Sequence, residues 1–204
     1  ADKQVTTIGA PDFSGKAVTA LADEDDVYFW DGDNLISFDV PTKNFKNATL
    51  QQNPNAAAVA VYNTRLYAVS TADKNIYRYN QDRNSVSFSS RMNWLRGDLN
   101  AANVASMSVN GKVYLIADSQ VRQYTGGVLD TLALDATIPA LEAPTAVIGS
   151  SDQKFIYVLE PKNKRVVAYD ASGKYSTQYV SDSFDNLKGM TIDEAGKKLY
   201  ILNG

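Results

Sequence analysis

Short apolar runs recur along the chain between polar, turn-forming stretches: Val27-Tyr28-Phe29-Trp30, Leu66-Tyr67-Ala68-Val69, Val113-Tyr114-Leu115-Ile116, Ile156-Tyr157-Val158-Leu159 and Leu199-Tyr200-Ile201-Leu202. Each run is rich in β-branched and aromatic residues, which predicts a strand buried on both faces. The tyrosines at 28, 67, 114, 157 and 200 recur about every 43 residues. Before each tyrosine lies a strand of small and apolar residues, as at 17–21, 57–61, 105–109, 145–148 and 189–192. After each of the first four comes a second aromatic position, Phe38, Tyr79, Tyr124 or Tyr169. Gly32-Asp33-Asn34 and Lys162-Asn163-Lys164 read as the hairpin turns between the tyrosine strand and this one. Gly126-Gly127 and Ala171-Ser172-Gly173-Lys174 read as turns into a further strand.

Each unit is therefore expected to be four antiparallel strands, and a period of this length signals a β-propeller blade. The small residues of the first strand suit the crowded position where blades converge on an axis. The alternative arrangement of the same strands is one sandwich of two stacked sheets. The fold expected is all-β: a single domain over 1–204, a propeller of about five blades at 17–52, 56–91, 104–135, 144–181 and 187–204. Residues 4–9, together with the neighbouring residue 3, are expected to supply the outermost strand of the fifth blade and so to close the ring, hiding sheet edges. That last blade is either three-stranded or lacks a short tail. The connection at 91–103 is expected to be the longest, with at most one or two helical turns between residues 91 and 100.

Composition narrows the chemistry. There is no histidine, which removes Ser-His-Asp and Cys-His arrangements and imidazole-bound metals. There is no cysteine, so neither a disulfide framework nor a thiolate metal site is available. The net charge of −3 argues against a basic groove for nucleic acid. No apolar stretch is long enough to cross a membrane as a helix. Asp31-Gly32-Asp33-Asn34 and Asp23-Glu24-Asp25-Asp26 would lie at opposite ends of one strand, so they read as turns and no calcium site is expected. Arg96-Gly97-Asp98 reads as a turn, and Asn47-Ala48-Thr49 is a sequon of no diagnostic weight here.

Residues 154–174, with Ile156-Tyr157-Val158, Asn163-Lys164-Arg165-Val166, Tyr169-Asp170 and Gly173, resemble the NHL-type repeat. The opening of the fifth unit, Leu187-Lys188-Gly189-Met190-Thr191-Ile192-Asp193 through Gly196 and Tyr200, is similar to the start of the same repeat. The first three units lack the arginine. The resemblance to NHL and YVTN-type propellers implies a binding or sensor module attached to other domains, with a lean towards an extracytoplasmic or membrane-attached setting. Some such propellers are enzymes, either amidating lyases with histidine-bound metal or lactonases with calcium in the channel. The missing histidine and the Ala, Val, Thr, Ser, Met and Gly of the inner strands speak against both.

The function expected is a non-catalytic recognition or scaffold module without cofactor or metal, a monomer that binds a protein, peptide or glycan. Its contact surface would be the face formed by the inter-blade connections and the turns between second and third strands. On that face the candidates are Trp30, Asp31, Asp33, Trp94, Arg96, Glu160 and Lys162, because an aromatic beside an arginine or a carboxylate is interface-like. The competing reading of Trp94 is a plug in its own blade junction. The alternatives are a self-assembling domain jointed at the incomplete blade, and a lactonase or lyase working through carboxylates or calcium.

Overall fold

A computed structural model describes residues 19–23 and 25–204. The expected closing strand at 4–9 lies outside the described residues. The first sheet contains β1 (Thr19–Asp23), β2 (Asp26–Trp30), β3 (Leu35–Asp39) and β4 (Asn44–Ala48). The second contains β5 (Ala58–Tyr62), β6 (Arg65–Ser70), β7 (Asn75–Gln81) and β8 (Phe88–Asn93). The third contains β9 (Val104–Val109), β10 (Val113–Ala117), β11 (Gln120–Thr125) and the short β12 (Val128–Leu129). The fourth contains β13 (Ala146–Gly149), β14 (Phe155–Glu160), β15 (Arg165–Asp170) and β16 (Tyr175–Val180). The fifth has only β17 (Leu187–Asp193) and β18 (Lys198–Asn203). In every sheet the strands pair in chain order and antiparallel, and the first strands of successive sheets stand side by side around an axis.

Local chemistry explains the hairpins. Asn63-Thr64 and Asp118-Ser119 each have positive φ at both positions, the backbone of a two-residue turn that matches strand twist, and Asn and Asp tolerate it best. Cores form between consecutive sheets because second and third strands have apolar residues on both faces. Tyr28, Trp30 and Leu35 of the first sheet meet Val59, Leu66 and Phe88 of the second. Tyr67, Val69 and Ile76 meet Met107, Val113 and Leu115, with Leu95 and Leu99 sealing the side. Tyr114 and Ile116 meet Val147, Ile156 and Val158. Between the fourth and fifth sheets the buried cluster falls to Leu159, Val166 and Leu187.

One expectation needs correction. The described residues form four complete blades and a two-stranded fifth sheet, whose strands lie where the repeat places them. The longest connection is 130–145 and not 91–103, because β12 stops after two residues while β8 runs on to Asn93. From there the chain runs without regular strand into the fourth sheet, packing Leu132, Leu134 and Leu141 on the core. The 94–100 segment carries no helix; the one helix among the described residues is a 3-10 turn at Pro161–Asn163.

Burial also perturbs the tyrosines. Tyr79 is fully buried, donates to the Gln52 carbonyl at 3.2 Å, and has its phenol pushed from 10.0 up to about 12, chiefly by burial. The folded chain thus keeps a proton that the unfolded chain loses above pH 10. The stability this provides is full below pH 10 and is lost as pH rises to about 12. Alkaline denaturation should show a decline of order 2 kcal/mol across that window, and Tyr79→Phe should flatten it.

Candidate functional site

Small residues on the first strands let the sheets converge. Ser106 and Ser108 of β9 accept hydrogen bonds from the Val147 and Gly149 amides of β13, at 3.2 and 3.1 Å. A methyl group on Gly149 would meet the Tyr114 ring at 2.3 Å, so the approach there requires glycine. Around the axis lies a cavity of about 790 Å³, walled by Thr19 and Leu21, Ser106 and Ser108, and Met190 and Thr191. Among the described residues its one formally charged wall residue is Lys188.

At the end where first and second strands turn, the axis opens into a cavity of about 410 Å³ bounded by Tyr62, Asn110, Ser151, Asp193 and Glu194. Beside it, between the fourth and fifth sheets, is a cleft of about 260 Å³. Phe155, Tyr157 and Tyr179 form its aromatic wall, and Asp152, Asp193, Glu194, Lys197 and Lys198 its polar part. Ile192, Asp193 and Glu194 border both spaces.

The cleft follows from topology. Tyr157 on β14 and Tyr179 on β16 lie on the face of the fourth sheet that looks towards the fifth, and β17 and β18 cover only its inner part. Tyr179 is left 42% exposed. The Phe155 and Tyr157 rings are tilted by 48° with centroids 6.1 Å apart. Glu194 is fixed by the Ser151 amide at 2.6 Å and by the Ser151 hydroxyl. Hydrogen bonds from Lys154 and Ser150 hold the Asp152 carboxyl down at about 2. Burial pushes the Tyr157 phenol up, and Tyr179, Glu194 and Asp152 add to that.

The residues expected from sequence are not gathered into one site. Trp30, 4% exposed, lies in the core between the first two sheets. Asp31, 3% exposed, accepts the Asp33 and Asn34 amides at 2.9 and 2.7 Å and organises its own turn. Glu160 is completely buried against Arg165 at 2.6 Å. These three are interior and do not form an exposed rim. Trp94 is half-buried, edge-on to Tyr67 at 5.7 Å, where it plugs the junction of the second and third sheets. Asp33, Arg96 and Lys162 are exposed on three different sheets' loops, Lys162 paired with Glu142. The sequence signal for the aromatic cleft is a second tyrosine, Tyr179, on an outermost strand, in addition to the repeat tyrosine Tyr157.

Among the described residues no group of three or more His, Cys, Asp or Glu could hold a metal, and no helix is long and apolar enough to cross a membrane. No family model and no curated protein matches the chain. Solved structures do match. A streptogramin B lyase aligns with a TM-score of 0.60 at 12% identity, over 91% of this chain and 61% of its own. The fold is that of a β-propeller. A luciferin-regenerating enzyme aligns with the propeller at a TM-score of 0.59 and 15% identity, over 89% of this chain and 67% of its own. An auxiliary nutrient binding protein from Bacteroides ovatus aligns at 0.52 and 18%, over 76% and 38%. The propeller spans about three-fifths of the length of the streptogramin B lyase. Likeness at such identity establishes architecture, and the fold carries enzymes and binding proteins alike.

Proposed function

We propose that this propeller is a non-catalytic recognition module within a larger protein, its fourth and fifth blades of NHL type, binding a protein, peptide or glycan. The observation that carries this reading is the axial cavity, where the lyase- and lactonase-like alternatives would place reacting groups. Among the described residues its wall is small, apolar or hydroxyl-bearing apart from Lys188, and it offers no acid–base pair of carboxylates. The neighbours include a binding protein as well as enzymes by name, so the fold is compatible with the proposal. The expected result is saturable binding of a ligand that is recovered unchanged after prolonged incubation, followed by NMR. Stoichiometric or faster conversion of that ligand would overturn it.

The ring is proposed to be five-bladed and sealed by residues 4–9 along β18. A second reading, self-association at the partial blade, is favoured by one comparison. The repeat tyrosines Tyr28, Tyr67 and Tyr114 are 1%, 6% and 1% exposed, whereas Tyr200 at the equivalent position is 49% and Leu202 beside it 66% exposed. An apolar sheet edge of this kind is a pairing surface. Mass measurement in solution separates the two: a monomer supports internal closure, and a dimer lost in Tyr200→Ser supports the joint.

A further inference from the structure

We propose that the uncovered edge of β11 at Gln120–Arg122 takes an extended segment of a partner protein as an added strand; this rests on the recognition reading above and names its partner class. The outer strands β4, β8 and β16 have five, six and six residues, whereas β12 has two. Pairing along β11 is confined to Tyr124 with Leu129 and Thr125 with Val128, followed by one bond from the Asp130 amide to the Gln123 carbonyl at 2.8 Å. The chain then leaves for the fourth sheet, where the Asp135 amide bonds to the Gly173 carbonyl at 2.8 Å. Residues 118–145 are all described, and none of them returns to pair with the rest of the edge.

Strand alternation fixes what the edge presents. Ala117 and Gln120 pair across the two-residue Asp118-Ser119 turn, so the even-numbered residues of β11 bond inward to β10. The odd-numbered residues bond outward, as the Gln123 carbonyl does to Asp130. Val121 therefore aims its N–H and C=O away from β10, and among the described residues no backbone hydrogen bond takes either. The usual devices that blunt an edge are missing. β11 has no proline, no positive φ and no register shift against β10, whereas β8 is interrupted by Ser90 at φ 57. The Arg122 guanidinium is turned aside, onto Asp118 at 3.0 Å and the Asn100 carbonyl at 2.5 Å.

The flanks define the occupant. Arg122 ties one side of β11 to the 94–103 connection, and Val121 shares a core cluster with Leu132 and Leu134 on the other. Residues 94–103 and 118–135 carry Arg96 and Arg122 against Asp98, Asp118, Asp130 and Asp135. A segment with a β-branched centre and basic ends complements both the strand and this acidic surplus.

The test titrates the whole chain with the capped hexapeptide Lys-Thr-Val-Thr-Val-Lys, read by amide NMR and hydrogen exchange. The Val121 amide should exchange freely in the chain alone and become protected on saturation, with a dissociation constant of about 1 mM. Replacing both lysines of the peptide by glutamate should weaken binding about fivefold or more. Val121→Pro removes the outward donor at a position where proline leaves the β10 pairing intact, and should weaken binding about tenfold, whereas Val121→Ala should bind like the parent. If Val121→Pro does not fold, a peptide N-methylated at its two central residues carries the same test and should not bind. A Val121 amide already protected in the dilute chain, or N-methylated peptide binding as well as the parent peptide, overturns the proposal. Protection that grows with protein concentration alone would give the edge to a second copy and overturn it too. A peptide bound elsewhere on the chain sinks the edge and leaves the recognition reading standing; a peptide docked on β11 and then cleaved does the reverse.

Discussion

Replacing Glu160 with alanine should cost about 3–5 kcal/mol of folding stability, the largest loss expected for any polar residue in the chain. Arg165 is 1% exposed, and its guanidinium divides its hydrogen bonds between Glu160 at 2.6 Å, Gln178 at 2.9 Å and the Pro139 carbonyl at 2.8 Å. Glu160 in turn accepts the Glu142 amide at 2.6 Å and Asn163 at 3.0 Å. The pair therefore pins the irregular 130–145 connection to the fourth blade. Removing the carboxylate alone strands a buried cation and orphans two donors at once. Urea denaturation of Glu160→Ala should show the loss, and the double variant Glu160→Leu, Arg165→Met should recover part of it, since no charge is then left unpaired. A loss below about 1 kcal/mol in the single variant would mean that water reaches the guanidinium.

Phe88→Ala should cost about 3–5 kcal/mol as well, through a different cause. Phe88 is completely buried, meets Tyr28 edge-on at 5.3 Å, and its backbone bonds to Thr49 at 2.8 Å and Gln51 at 2.9 Å. It sits where the exit of the first blade is stitched to the outer strand of the second. Truncation leaves a void that blade-to-blade packing on both sides prevents from collapsing. The denaturation midpoint should fall with an unchanged slope. The same truncation at exposed Leu202 should change stability by no more than about 0.5 kcal/mol.

The tyrosine strands were legible in the sequence because a strand covered on both faces needs no alternation, only a short apolar run between turns, and β10 is that case throughout. What could not be read was where a unit departs from its own pattern. Nothing in Gly126-Gly127-Val128-Leu129 announces that pairing ends after two residues, since that depends on Asp130 turning back to Gln123 and Thr125, at 2.6 and 2.7 Å. The candidate rim was misjudged for a related reason. Trp30 and Glu160 each close a strand and so look like loop residues in one dimension, yet the next blade covers the first and Arg165 the second. The cleft was illegible because an outer-strand tyrosine is buried or bare according to how many strands its neighbour has.

Among the described residues the core is thinnest between the fourth and fifth sheets, which has a mechanical consequence. A region held by few buried apolar contacts opens at a small fraction of the global unfolding free energy. Sheet five should therefore fray first, swinging β17 and β18 away while the first four blades stay intact. The walls of the Tyr157–Tyr179 cleft belong one to the firm body and one to this loose flap, so the space between them widens as the flap swings out.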